Sequence, residues 1–252
     1  MSEQQKKVNY LLQLADTNLI FSHRLSEWCG IAPELEIDIA LANIGLDLLG
    51  EARNFYQYAA ELEGSQKTED DYAYLREERE YKNLLLAERP NEGFDISIVR
   101  QFLYDNYHAL LLQELANSAD EQLAAIAKKS LKEVAYHLRY SSGWIERLGG
   151  GTELSHKKVQ TALNDLWRYT DEMFEPSEEE IALAEQNIIV DVSELKAQWQ
   201  RNVNVTLEKA TLSMPESKYF LQGGKSGKHS EHLGFILAEL QYMQRTYPNQ
   251  QW

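Results

Sequence analysis

The chain has 252 residues, 43% of them hydrophobic and 26% charged, with a formal net charge of −15. That length suits one large domain or at most two small ones. The acidity argues against nucleic acid or an anionic membrane surface as partner, since either needs clustered Lys and Arg.

Apolar residues recur at helical spacing along almost the whole chain. The opening Met1-Ser2-Glu3-Gln4-Gln5-Lys6-Lys7 has no apolar core behind its charges, so no secretory signal is read there. Val8, Leu11, Leu12, Ala15 and Leu19 mark one face of a first helix ending near Gly30. Cys29, the single cysteine, cannot form an intrachain disulfide and fits a reducing compartment; beside Trp28 it is expected to be a small buried hydrophobe. Pro33, Glu34 and Glu36 suit the opening of a second helix that runs to Leu62 and stops at Gly64. Between Ile37 and Leu49 this helix is apolar on nearly every side, which predicts a central helix covered on several faces.

A polar linker, Gly64 to Asp70, leads into a shorter amphipathic helix through Tyr72, Leu75 and Leu84 to Leu86, closed by a turn at Pro90–Gly93. The next helix spans about Asp95 to Asn117, and another begins after Ser118-Ala119-Asp120 and ends at Gly149-Gly150-Gly151. Ser155 is read as the N-cap of a helix through Phe174, and Ser177 with Glu180 as a capping box. Helices over about Ser193–Lys209 and Ser230–Tyr247 flank a glycine-lysine loop, Gly223 to Lys228. No segment shows sustained two-residue alternation, and no apolar run approaches the ~20 residues that span a bilayer. The prediction is an all-α, cytoplasmic protein. Two pairs of long helices joined by a longer connection give a ferritin-like bundle with one crossover. It is read as one domain over 1–252, with a core bundle over about 5–149 and a C-terminal helical extension over about 150–252.

Di-metal sites in such bundles need two single carboxylates and two Glu-x-x-His pairs, because an i, i+3 step aims both ligands inward. One carboxylate falls on each long helix: Asp16, Asp47, Asp105 and Glu133. His108 follows Asp105 by three residues, but Gly50 stands where the second helix needs a histidine. On the fourth helix Tyr136 takes the required place and His137 lies one step beyond. The set is a degenerate metal site, and no metal or cofactor is expected on this chain. Its polar residues are expected to pair with one another or with Arg24, Arg53, Arg100 and Arg139.

Long strings then carry a resemblance over essentially the whole chain. They are Leu25-Ser26-Glu27-Trp28-Cys29-Gly30, the run from Ala32 to Asp47, Ala52-Arg53-Asn54, and Tyr136-His137-Leu138-Arg139. Trp144 to Gly149, Gly223-Gly224-Lys225 and Glu231-His232-Leu233-Gly234 extend the match. The chain resembles the C subunits of bacterial phenylacetyl-CoA epoxidases. The resemblance implies a non-catalytic structural subunit of an NADPH-dependent monooxygenase complex of phenylacetate degradation. There it supports a related A subunit that holds the di-iron centre and epoxidises the substrate ring. Self-association within the complex is also expected.

Stable interfaces are rich in Trp, Tyr and Arg, so Trp144, Trp167, Trp199 and Trp252 are candidates, although each alone is more at home in a core. The Gly223–His229 loop is the most basic segment of an acidic chain, and Lys225, Lys228 and His229 are candidate contacts for the phosphates of coenzyme A. Two rival readings stay open. In one the chain is itself a di-metal oxidase using Asp47, Asp105, His108, Glu133 and His137. In the other it is a stand-alone helical binding module.

Overall fold

The computed structural model describes residues 1–248 and Gln250. Among these the fold is all-α and ferritin-like in class, as the periodicity predicts, with ten α-helices and no strand. The long helices are α1 (Glu3–Ser26), α2 (Leu35–Glu63), α4 (Phe94–Leu115) and α5 (Glu121–Gly149), and α3 is a single short turn (Glu69–Tyr74). Then follow α6 (Glu153–Leu166), α7 (Glu178–Ala184), α8 (Val192–Lys209), α9 (Glu231–Leu240) and α10 (Tyr242–Thr246). No described helix is long and apolar enough to cross a membrane.

The chain packs as two compact units. The first comprises Met1–Pro90 together with the segment from Gln222 onward. Its backbone is the α1–α2 hairpin, and α1 buries residues round almost its whole circumference, including Tyr10, Leu11, Ala15, Leu19, Ile20 and Phe21. The second unit is Asn91–Leu221, in which α4 packs on α5, α6 and α8. Here α4 is the helix covered on nearly every side, and its low amphipathicity reflects that. Trp199 on α8 is buried against Trp167 and Phe174, and its indole N–H donates to the Leu103 carbonyl at 3.0 Å.

Several boundaries differ from the sequence reading. The helix expected through Leu86 stops at Tyr74. Beyond it the chain forms only two 3₁₀ turns, Glu78–Glu80 and Leu85–Glu88, although Tyr81 and Asn83–Glu88 are buried. Several of its backbone polar groups are satisfied by side chains from other elements. Thr17 Oγ1 accepts from the Leu84 N–H at 3.2 Å, and Arg24 donates to the Glu88 carbonyl at 2.6 Å. Thr152, not Ser155, caps α6, and Ser155 is its capping-box partner. α6 then ends at Leu166 and two 3₁₀ turns carry the chain to Phe174. The Ser177–Glu180 capping box is present as read. The last helix divides at Gln241, whose buried side chain donates to the Arg76 carbonyl at 3.0 Å and to the Tyr81 hydroxyl at 3.1 Å.

Two burial expectations are also corrected. Cys29 is exposed, because α1 ends at Ser26 and the thiol sits in the turn beyond it. α2 is not covered all round: Leu35, Ile39, Leu46 and Leu49 are exposed. Of the tryptophans, Trp167 and Trp199 are core, Trp144 is half-buried with its ring edge-on to Phe94 at 5.1 Å, and Trp252 lies outside the described residues.

Candidate functional site

Asp16 sits in the middle of α1 and is fully buried, where an unpaired carboxylate would be prohibitively costly. Its oxygens are engaged by four donors. Arg76, just past α3, donates through both terminal nitrogens, Nη1 at 3.1 Å and Nη2 closer still. The Tyr56 hydroxyl of α2 donates at 2.5 Å and the Lys82 backbone N–H at 2.8 Å. Burial works against the Arg76 charge, but Asp16 more than offsets it and holds the guanidinium protonated. Burial, reinforced by Asp16, pushes the Tyr56 phenol well above its ordinary range. This carboxylate therefore ties α1, α2 and the 76–82 segment together.

A second buried carboxylate in the same unit, Glu88, has no counterpart in the sequence reading. Oε1 accepts from Asn83 Nδ2 at 3.0 Å and faces His229 Nδ1 at 2.6 Å. Oε2 accepts from the Ser230 backbone N–H at 2.9 Å and its hydroxyl at 2.5 Å. The other nitrogen of His229, Nε2, lies 2.9 Å from the Tyr81 carbonyl. A carbonyl can only accept, so Nε2 carries a proton. Burial lowers the affinity of His229 for its second proton, but Glu88 and the Tyr81 carbonyl outweigh it and the pKa ends above the usual histidine value.

His229 therefore faces inward, with both ring nitrogens engaged by its own chain. Lys228 is exposed and Lys225 half-buried, and these two carry the basic surface of the loop. The loop glycines serve packing. A Cβ at Gly224 would collide with the Asn83 carbonyl oxygen, and one at Gly227, where φ is +76°, with that of Arg79.

In the second unit Asp105 on α4 is fully buried and accepts from Gln101 Nε2 and from Ser141 Oγ of α5, each at 2.6 Å. Burial raises its pKa, against the opposing pull of His137, Ser141, Gln101 and His108. Both histidines are buried, and His108 stacks on Tyr104 at 4.9 Å. Of the residues read as a degenerate metal site, this unit brings Asp105, His108 and His137 into one electrostatic neighbourhood. Asp47 and Glu133 are only half-buried, and Gly50 is exposed. Among the described residues no group of three or more His, Cys, Asp and Glu is placed to hold a metal ion.

The arginines expected as partners make the following contacts. Arg24 serves Glu27 and the Glu88 carbonyl, Arg53 pairs with Glu69 at 3.0 Å, Arg100 is buried and donates to Asn91, and exposed Arg139 lies over the Tyr136 ring. Arg76, which the sequence reading did not name, neutralises buried Asp16. It stands 60 positions from Asp16, a separation at which no local pattern links the two.

The sequence profile of a family described as phenylacetic acid catabolic protein matches residues 1–252. The chain is 54% identical over 243 residues to the C subunit of 1,2-phenylacetyl-CoA epoxidase from Escherichia coli (strain K12), a match covering 96% of this chain and 98% of that protein.

Proposed function

The chain belongs to the family of phenylacetic acid catabolic proteins, and on that premise we propose that it is a structural, non-catalytic subunit of a phenylacetyl-CoA epoxidase. It supports a di-iron A subunit that epoxidises the phenylacetyl-CoA ring with electrons from NADPH. The complex works in the cytoplasm, and this chain brings no cofactor of its own. The observation that carries the reading is the 54% identity to the C subunit of an epoxidase along nearly the full length of both chains. The chemistry of the interior supports it. The two most deeply buried candidate carboxylates, Asp16 and Asp105, are engaged by Arg76, Tyr56, Ser141 and Gln101.

The test has two parts. Purified alone after growth with added iron, the chain should hold well below one metal per chain and should not epoxidise phenylacetyl-CoA. Added to a purified catalytic subunit and reductase, it should raise or sustain turnover. Close to two irons per chain would overturn the proposal in favour of an oxidase in its own right.

The coenzyme A contact is proposed for Lys225 and Lys228, with His229 holding their loop from inside. A Lys225→Ala/Lys228→Ala pair should raise the KM of the assembled complex for phenylacetyl-CoA with little change in kcat. An unchanged KM would sink that contact.

A further inference from the structure

α2 buries Ile37, Leu41, Ile44, Leu48, Ala52 and Phe55 on one side. On the other side Leu35, Ile39, Leu46 and Leu49 stand 71%, 53%, 65% and 39% exposed. With half-buried Ala42 they advance along the helix in alternating steps of four and three residues. That is the a/d spacing of a seam along which a second helix packs. Gly50 lies on the same face, and nothing stands within 4 Å of where its Cβ would be. Glycine in a helix interior weakens the helix, and no neighbour in the structure requires it here. It leaves open space at that point of the face.

The edge of the seam is acidic and polar. Glu36, Asn43, Asp47 and Asn54 recur at steps of seven, four and seven, with Glu34 and Asp38 at its N-terminal end. The one cation among the exposed residues of the face, Arg53, is held by Glu69 at 3.0 Å. Two such acidic faces, each on a chain of net charge −15, repel one another. A second copy of the chain is therefore a poor occupant, and a helix flanked by Lys and Arg is a good one.

We infer that the α2 face from Leu35 to Arg53 is the docking seam for an amphipathic helix of a different protein, with apolar residues at 3–4 spacing and basic flanks. Resting on the function proposed above, that helix belongs to the catalytic subunit. The seam is about 27 Å long, and a single helix face covers less than the ~800 Å² that each side of a stable interface buries. It is the apolar centre of a wider contact that exposed Ile31 extends.

The test measures binding of the purified full-length chain to the purified epoxidase catalytic subunit by sedimentation and calorimetry. Ile39→Asp/Leu46→Asp should keep the native circular dichroism and urea midpoint, since both side chains are exposed, and should bind on the order of 100-fold more weakly. Phe235→Asp/Tyr242→Asp, also at exposed apolar positions, should bind within about twofold of the native chain. Glu36→Lys/Asp47→Lys should weaken binding and reverse its salt dependence. Native-like binding by both seam variants overturns the inference. So does a native chain that dimerises alone and is made monomeric by the seam substitutions, because the occupant is then a second copy. A native chain that does not bind the catalytic subunit overturns the functional proposal itself, and the partner assignment falls with it.

Discussion

Glu88 and His229 are 141 positions apart in the chain, yet their side chains meet at 2.6 Å and are both fully shielded from solvent. The contact fastens the C-terminal segment to the 81–88 stretch. The folded-state pKa of His229 is raised, chiefly by Glu88 working against burial, while in the unfolded chain it titrates near 6.5. The proton is thus held more tightly in the native state. Its stabilisation is fully present below about pH 6.5 and is lost as pH rises through the folded pKa. Urea midpoints should therefore fall across that window in the native chain and stay flat in His229→Gln. A parallel fall in both proteins would mean that other groups control it.

Removing Arg76 tests a second buried carboxylate, Asp16. Arg76→Met leaves Asp16 without its countercharge, with only the Tyr56 hydroxyl and the Lys82 N–H as donors. Breaking a buried pair from one side costs about 3–5 kcal/mol, a large share of the stability of a domain. Asp16→Asn combined with Arg76→Met should recover part of that loss, since no buried charge is then left over. Urea unfolding of the two variants decides it, and equal loss in both would show that Arg76 acts through packing alone.

The helices are legible because burial imposes a 3.6-residue period that survives in the sequence whatever covers the face. The same fact explains where the sequence misleads. An all-round apolar helix looks identical whether its last face is covered by its own chain or by another, so α2 reads as a central helix. Segment 75–88 departs for a different reason. Leu75, Leu84 and Leu86 keep an amphipathic spacing, but Thr17, Arg24 and His229 satisfy its backbone from distant parts of the chain. Asp105 is visible as a carboxylate on an inward face, whereas its partner Ser141, 36 positions away, carries no signal of its own.

Asp105 makes a pH prediction in the opposite part of the scale. Burial raises its folded pKa, so the native state holds that proton more tightly than the unfolded chain, where Asp titrates near 3.9. Its contribution to stability is largest below that value and declines as pH rises through the folded pKa. Asp105→Asn keeps one oxygen to accept from Gln101, turns its NH2 to the Ser141 hydroxyl, which can accept, and cannot ionise. Its stability should decline less between pH 4 and neutrality than that of the native chain, as followed by thermal melts. A curve that matches the native one would remove Asp105 from the account.

Two glycine substitutions separate a glycine required by its own fold from one that is not. At Gly224 a methyl group meets the Asn83 carbonyl, which is backbone and cannot step aside. Gly224→Ala should cost about 1–3 kcal/mol and expose the C-terminal segment to limited proteolysis. At Gly50 the same methyl group enters open space on an ordinary helical backbone, so Gly50→Ala should stabilise the isolated chain by about 0.5–1 kcal/mol. If that space serves a partner, that gain in the isolated chain will come with weaker binding to the catalytic subunit. Stability and affinity measured on this one variant should then move in opposite directions. An affinity that is unchanged or improved would leave Gly50 with no role in docking.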